Sequence, residues 1–253
     1  VILKKSPEDI AIMREAGVIL TDTLSHLEAA IAPGTTTAEL DRIAEDSIRT
    51  AGASPSFKGY RGFPASICTS PNDVIVHGIP GRYVLRDGDI ISIDVGVFHG
   101  GFHADSAWTF PVGTVSAEAA KLLEVTEASL LAAIDECRPG ARIGDVGHAV
   151  EGVAVAAGFS VVREYVGHGV GRALHEEPQV PNYGPPGRRE LLSPGMTLAI
   201  EPMVNVGGPE TKVLDDGWTV VTLDGSLSAH FEHTVAITPE GRDVLTRRAM
   251  SVS

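Results

Sequence analysis

The chain has 253 residues, 43% of them hydrophobic, 5% aromatic and 21% charged, with 28 glycines and 16 prolines. That hydrophobic share excludes a disordered chain, two cysteines exclude a disulfide scaffold, and no run of about 18 apolar residues is present to span a membrane. The 33 acidic residues outweigh 20 basic ones for a net charge of −13, which argues against nucleic acid as main partner and suits cation binding. The expectation is a cytoplasmic α/β protein without a signal peptide.

Ser6-Pro7-Glu8-Asp9 reads as an N-cap, a proline at the first helical position and acids in the first turn. Met13, Gly17, Leu20, Leu24, Leu27 and Ile31 follow at spacings of three and four, which predicts a helix running to Pro33-Gly34. A second helix opens near Thr37, with Leu40, Ile43, Ala44 and Ile48 on one side, and stops near Gly52. Turns and short strands fill residues 53–87. From Asp89 to Phe98 the residues alternate, Ile91, Ile93, Val95 and Val97 on one face and Ser92, Asp94, Gly96 and Phe98 on the other. His103–Val112 reads as the antiparallel partner across a glycine-rich turn. Ser116 caps a third helix with Leu123, Ala128, Leu131 and Ile134 among its apolar positions, and a fourth spans about Asp145 to Ala157. Strand-like segments follow at Ser160–Val166, Met196–Val206, Trp218–Leu223 and His230–Thr238. No linker divides the chain, so residues 1–253 read as one domain.

A faint repeat runs through it. Ala32-Pro33-Gly34 with Glu39-Leu40, Glu45 and Ala51-Gly52 aligns with Arg138-Pro139-Gly140, Asp145-Val146, Glu151 and Ala157-Gly158 at an offset of 106 residues. Leu85-Arg86-Asp87-Gly88 with Ile93-Asp94 aligns with Leu192-Ser193-Pro194-Gly195 and Ile200-Glu201 at an offset of 107. Two halves, roughly 7–112 and 116–238, are expected, with Asp94 and Glu201 at matching positions and Asp105 and Glu232 as further acids of each half.

Those acids sit where a strand interior should be apolar. With His99-Gly100 as a two-residue turn, Asp94 lies directly across from Asp105, the Cβ atoms about 5 Å apart on one face. Such a pair repels, and burial adds to the cost, unless a divalent cation sits between them. Taken singly, each acid reads equally well as a rim residue or half of a buried ion pair. Glu201 and Glu232 pose the same problem in their own strand-like segments. His168, between Gly167 and Gly169, is a better metal ligand than a phosphate clamp, because Arg172 stands where the third glycine of GxGxxG belongs. Four carboxylates balance two divalent ions bridged by hydroxide, whereas one ion leaves two charges uncompensated. Cys68 and Cys137 lack the CxxC spacing of a thiolate zinc site.

Seven ordered blocks carry a family resemblance: Val76-His77-Gly78-Ile79-Pro80, Ile93-Asp94-Val95, Gly101-Phe102-His103-Ala104-Asp105, Gly167-His168-Gly169-Val170-Gly171, His175-Glu176-Glu177-Pro178, Ile200-Glu201-Pro202 and Phe231-Glu232-His233-Thr234. From about Lys5 to Thr238 the chain resembles type I methionine aminopeptidase. The resemblance implies the α/β (α+β) pita-bread fold, with two pseudo-twofold halves, a central, mostly antiparallel sheet and helices packed on its outer side. It implies that Asp94, Asp105, His168, Glu201 and Glu232 hold two divalent ions (Co, Mn, Fe or Zn), Asp105 and Glu232 bridging. The implied activity removes the initiator methionine from nascent polypeptides when the second residue is small, the free α-amine binding one metal. His77 and His175 would flank the scissile peptide, and Glu201 would shuttle a proton. Tyr60, Phe63, Cys68, His77, Leu174 and Trp218 match the family's methionine pocket. Asn72, Val74 and Ser228 match a monovalent cation site for Na or K. The family leans monomeric, and docking to the ribosome is left open.

Three positions depart from the family pattern. Leu174 stands where many relatives have Phe, Gly96 replaces a common Thr and with it a hydrogen bond to the bridging water, and His230 replaces a common Gln. Two other pita-bread readings compete. A prolidase or Xaa-Pro aminopeptidase normally carries an extra N-terminal domain, with no room for it before Ser6. A non-enzymatic binding protein typically loses metal ligands, and all five are present here.

Overall fold

The computed structural model describes residues 1–248. Four helices, α1 (Pro7–Ala30), α2 (Thr37–Thr50), α3 (Ala117–Glu136) and α4 (Ile143–Ala156), follow one another in two pairs. After α2 come β1 (Ser54–Pro55), β2 (Ile67–Pro71), β3 (Val74–Val76), β4 (Ile90–His99) and β5 (Phe102–Pro111). After α4 come β6 (Ser160–Val161), β7 (Gly167–Gly169), β8 (Glu176–Val180), β9 (Thr197–Ile200) and β10 (Met203–Asn205). The chain continues through β11 (Thr211–Val213), β12 (Val220–Thr222), β13 (Ser228–His230), β14 (His233–Thr238) and β15 (Gly241–Val244).

Helix starts follow the expected chemistry. Ser6 Oγ accepts the Asp9 N–H (3.2 Å) while Asp9 Oδ2 accepts the Ser6 N–H (3.0 Å), satisfying two donors at once. Thr36 and Ser116 cap α2 and α3 through their hydroxyls. The face of α3 differs from expectation: Leu122, Thr126, Ser129, Leu130, Ala133 and Ile134 are buried, whereas Ala128 and Leu131 face solvent. Apolar residues are spread nearly all round this helix between its charged ones, so periodicity could not choose a side. Thr126 and Ser129 can turn inward because their hydroxyls donate to the carbonyls of Leu122 (2.7 Å) and Val125 (2.8 Å).

The duplication is visible in the backbone. α2 and α4 are both 14 residues long and start 106 residues apart, at Thr37 and Ile143. Gly34 N–H donates to Leu85 O and Leu85 N–H to Thr35 O; Gly140 N–H donates to Leu192 O and Leu192 N–H to Ala141 O. Isolated bridges Thr36–Val84 and Arg142–Leu191 repeat the pattern. In the first half Ile91, Ile93, Val95 and Val97 of β4 pack with Leu20, Leu24, Leu40 and Ile48 of α1 and α2. In the second, Leu198, Ile200, Val235 and Ile237 pack with Leu130, Ile134, Val146 and Val150 of α3 and α4, and Trp108 touches both cores. Helices thus cover one side of the strands and leave the other for the site, the expected α/β pita-bread arrangement.

The turn between β4 and β5 requires a correction. Its two central residues are Gly100 and Gly101, with φ of 57° and 87°, not His99-Gly100. Successive positive φ values match the twist of a hairpin, and glycine adopts them without penalty. The register therefore pairs Asp105 with Gly96 and Asp94 with Ala107. A shift of two positions preserves the face, so both aspartates still point the same way, diagonally rather than directly opposed.

The later strands are shorter than expected. Ser160–Val166 is strand only at its first two residues, and Trp218–Leu223 only at Val220–Thr222. Met196–Val206 breaks at Glu201-Pro202, and the segment from His230 to Thr238 breaks at Phe231-Glu232. The two breaks face each other, since His233 pairs with Ile200 and Met203 with His230. Pro202 has no N–H to give the ladder. Phe231 N–H reaches Pro202 O (3.3 Å), and Glu232 N–H crosses to Ala107 O of the other half (2.8 Å).

Candidate active site

Both halves meet along β5 and β14. Asp105 N–H donates to Thr234 Oγ1 (2.9 Å), Thr234 Oγ1 donates to Asp105 O (2.8 Å), and Ser106 Oγ donates to Glu232 O (2.5 Å). These bonds hold the backbones of Asp105 and Glu232 side by side. Their carboxylates and those of Asp94 and Glu201, with the His168 imidazole, line one cavity of about 210 Å³.

His168 Nε2 lies 3.5 Å from Glu201 Oε1 and 3.8 Å from Asp105 Oδ2. Its Nδ1 is 2.8 Å from Gly169 O, a bond that requires the proton on Nδ1 and leaves the Nε2 lone pair facing the acids. Ligand atoms of Asp105, His168 and Glu232 all lie within 4.8 Å of one another. Asp94 Oδ1, Asp105 Oδ1 and Glu232 Oε1 are buried with no hydrogen-bond partner among the described residues.

The electrostatics are those of a cluster of unbalanced acids. Burial pushes Asp94 up to about 7, and burial with neighbouring carboxylates raises Asp105, Glu201 and Glu232 well above the usual carboxylate range. Burial lowers His168 to about 4, so its imidazole is neutral near pH 7. Oxygen-rich ligation with one neutral imidazole and orphaned inward-facing oxygens fits hard or borderline divalent cations.

Apolar and aromatic groups form the rest of the cavity. Phe57, Phe63, Ala65, Cys68 and Leu174 make one buried cluster against which Tyr60 and Trp218 pack. Phe63 and Trp218 meet edge to face with centroids 5.1 Å apart. Cys68 pairs with Asp94 across the β2–β4 ladder, and burial raises its thiol. His175 stacks on Tyr60 (5.3 Å), with Nδ1 2.9 Å from Tyr60 Oη, and its ring is 4.1 Å from that of His168. Burial first, then neighbouring positive groups, lowers His175 to about 3. His77 has a φ of 59°, rare for a residue with a side chain, and burial lowers its pKa. Its ring is held edge-on by Tyr165 and Trp218.

All twelve residues expected to act at the metals or the methionine pocket therefore line one cavity. Asn72, Val74 and Ser228 do not. Asn72 O accepts the Ser228 N–H (2.9 Å), Asn72 Oδ1 accepts the Ile90 N–H (3.1 Å), and Val74 pairs with Val221 in β3–β12. Sequence reading missed Phe57, Arg61, Val76, Tyr165 and Val166 in the lining. The overlooked signal for Phe57 was Gly96, where an added Cβ would lie 2.6 Å from Phe57 Cε1. Lys5 was also missed: it forms an ion pair with Glu176, and Glu176 Oε1 accepts the Ala173 N–H (3.1 Å), bracing the loop that carries Leu174 and His175.

Residues 11–239 match metallopeptidase family M24. The chain is 57% identical to methionine aminopeptidase 1 of Bacillus subtilis over 97% of its own length and 99% of that protein's. It is 55% identical to a methionine aminopeptidase of Clostridium perfringens over 97% and 98% of the two chains. The crystal structure of methionine aminopeptidase from Thermotoga maritima superposes with a TM-score of 0.96 at 43% identity, covering 98% of this chain and 100% of that one. A prolidase from Pyrococcus furiosus shares the fold at 21% identity, with a TM-score of 0.80 and coverage of 97% of this chain and 66% of that one.

Proposed function

The chain belongs to metallopeptidase family M24, and we propose that within it this protein is a methionine aminopeptidase, releasing the initiator methionine from nascent polypeptides whose second residue is small. One observation carries the reading: an acid-lined pole opens directly into a pocket walled by Phe57, Phe63, Cys68, Leu174 and Trp218. The near full-length identity to methionine aminopeptidases supports it.

Asp94, Asp105, His168, Glu201 and Glu232 would hold two divalent ions drawn from Mn, Fe, Co and Zn, with Asp105 and Glu232 shared between them. When bound, such ions supply Lewis acidity and activate the hydrolytic water. The remaining work falls to the side chains. The apolar pocket takes the methionine side chain and excludes water from it. Neutral His77 and His175, held by Tyr165, Trp218 and Tyr60, flank the scissile peptide. One hydrogen-bonds its amide nitrogen and the other the developing oxyanion. Glu201, whose pKa burial raises, holds the proton taken from the nucleophile until the leaving amine accepts it.

The proposal includes a single catalytic domain over 1–253, acting as a monomer in the cytoplasm on chains leaving the ribosome. Among the described residues no helix is long and apolar enough to cross a membrane. A monovalent Na or K near Asn72, Val74 and Ser228 is part of the same reading, supported by the contact of the Asn72 and Ser228 backbones. The deciding experiment incubates metal-supplemented protein with Met-Ala-Ser and with Xaa-Pro peptides. Release of methionine from the first and no cleavage of the second is expected. Cleavage of Xaa-Pro instead indicates a prolidase-like hydrolase, and metal-loaded protein inert on both indicates a binding protein.

A further inference from the structure

His230 has no assigned role in the site, yet its side chain is among the most enclosed polar groups described, at 2% exposure. Its backbone is clamped by the other half of the molecule. His230 N–H donates to Thr109 Oγ1 (3.0 Å) and Ser92 Oγ (3.3 Å), and Thr109 Oγ1 donates to His230 O (2.7 Å). The Thr109 hydroxyl proton is thereby committed, so Ser92 is the donor in the 2.8 Å bond between the two hydroxyls.

A backbone fixed this way presents the ring to the acids. His230 Nε2 lies 3.8 Å from Glu232 Oε2 and 3.9 Å from Glu201 Oε2, and it has no hydrogen-bond partner among the described residues. Glu201 therefore stands between two imidazoles, Oε1 toward His168 and Oε2 toward His230. The two rings differ in one respect. The bond from His168 Nδ1 to Gly169 O obliges Nε2 to be the bare nitrogen, whereas no described bond places the proton of His230 on Nδ1. Leaving Nε2 unpaired here is costly, and the carboxylates within 4 Å of it are those of the two glutamates.

We propose that His230 is a positioning residue of the ion site, its Nε2–H, 3.8 Å from Glu232 and 3.9 Å from Glu201, closing to donate to one of these carboxylates and so fixing which of its oxygens faces the ions. This rests on the reading of both glutamates as metal ligands. An outer donor of this kind orients a carboxylate and sets metal affinity without touching the metal.

Cobalt(II) binding, measured by titration calorimetry and visible absorption, separates the possibilities for wild-type protein, His230→Ala and His230→Gln. The alanine variant should bind about 10–100-fold more weakly with an altered absorption band, and the glutamine variant, which retains an N–H donor, should recover most of the affinity. His230→Leu fills the volume without a donor and replaces the alanine variant if that one fails to fold. Wild-type affinity in the donor-less variants overturns the proposal. Loss of one bound ion in both the alanine and glutamine variants overturns it as well, because His230 would then be a direct ligand. Wild-type protein that binds no cobalt removes the glutamate reading and this proposal together.

Discussion

Replacing Gly96 by alanine tests how the pocket is built. Gly96 faces Asp105 across the β4–β5 ladder and is absent from the residues with positive φ, so the substitution is purely steric. The new Cβ would lie 2.6 Å from Phe57 Cε1, 3.1 Å from Phe57 Cδ1 and 2.8 Å from Ser56 Cβ. Carbon atoms settle at about 3.5–4.0 Å, so the phenyl ring must retreat by about 1 Å. Its neighbours Phe63, Ala65, Cys68 and Leu174 leave the cavity as the open direction. Overpacking of this size costs about 1–3 kcal/mol, which lowers Tm by about 5 °C for a chain this long. A pocket wall displaced by about 1 Å should reduce kcat/KM for Met-Ala-Ser by roughly 10–100-fold. Calorimetry and peptide kinetics on Gly96→Ala, Phe57→Ala and the double variant complete the cycle. Removing the ring relieves both Phe57 contacts and leaves only that with Ser56 Cβ, so the double variant should be more stable than the sum of the single losses, by about 0.5–3 kcal/mol. Strictly additive losses, or a Gly96→Ala protein with unchanged Tm and KM, would refute the steric coupling.

Asp105→Ala or Glu232→Ala should abolish methionine release and lower bound metal by at least one ion per chain; near-normal turnover by peptide assay with metal analysis removes their bridging role. Metal-free protein should lose thermal stability as the pH rises from about 6.5 through 7. Asp94, raised by burial to about 7, keeps its proton there only in the folded state, its raised neighbours Asp105, Glu201 and Glu232 act in the same direction, and His168 and His175, lowered to about 4 and about 3, are already neutral when folded. Bound divalent ions should erase the slope in a calorimetric pH series, and a metal-free Tm that rises with pH contradicts the reasoning. Lys5→Met or Glu176→Gln breaks an ion pair whose side chains are about 5% exposed. Each single change should cost about 3–5 kcal/mol in chemical denaturation, and the double variant should recover part of it; single variants as stable as wild type rule out a bracing role for the pair.

Where local chemistry decides, the structure was legible in advance. Ser6 with Asp9, and Ser116, announced two helix starts, and the repeat at an offset of 106 residues is matched by the starts of α2 and α4. The acids were legible because four carboxylates in strand-like apolar runs have no cheap explanation, and all four line one cavity. Other features depend on what the chain meets in space. The turn at Gly100-Gly101 rather than His99-Gly100 shifts the register by two, which alternation alone cannot detect because it returns every side chain to the same face. The break at Phe231-Glu232 turns the Glu232 N–H to Ala107 of β5, a contact between halves distant in sequence, and lies opposite the break at Glu201-Pro202. Phe57 was overlooked because its importance lies in a void left at Gly96, 39 positions away.

The hydrogen bonds that tie Asp105 to Thr234 and Ser106 to Glu232 lie along the same line as the acids they carry. Occupancy of the proposed ion site should therefore strengthen the seam between the duplicated lobes, and a chelator should act there as a wedge, loosening the molecule first along the line of its acids.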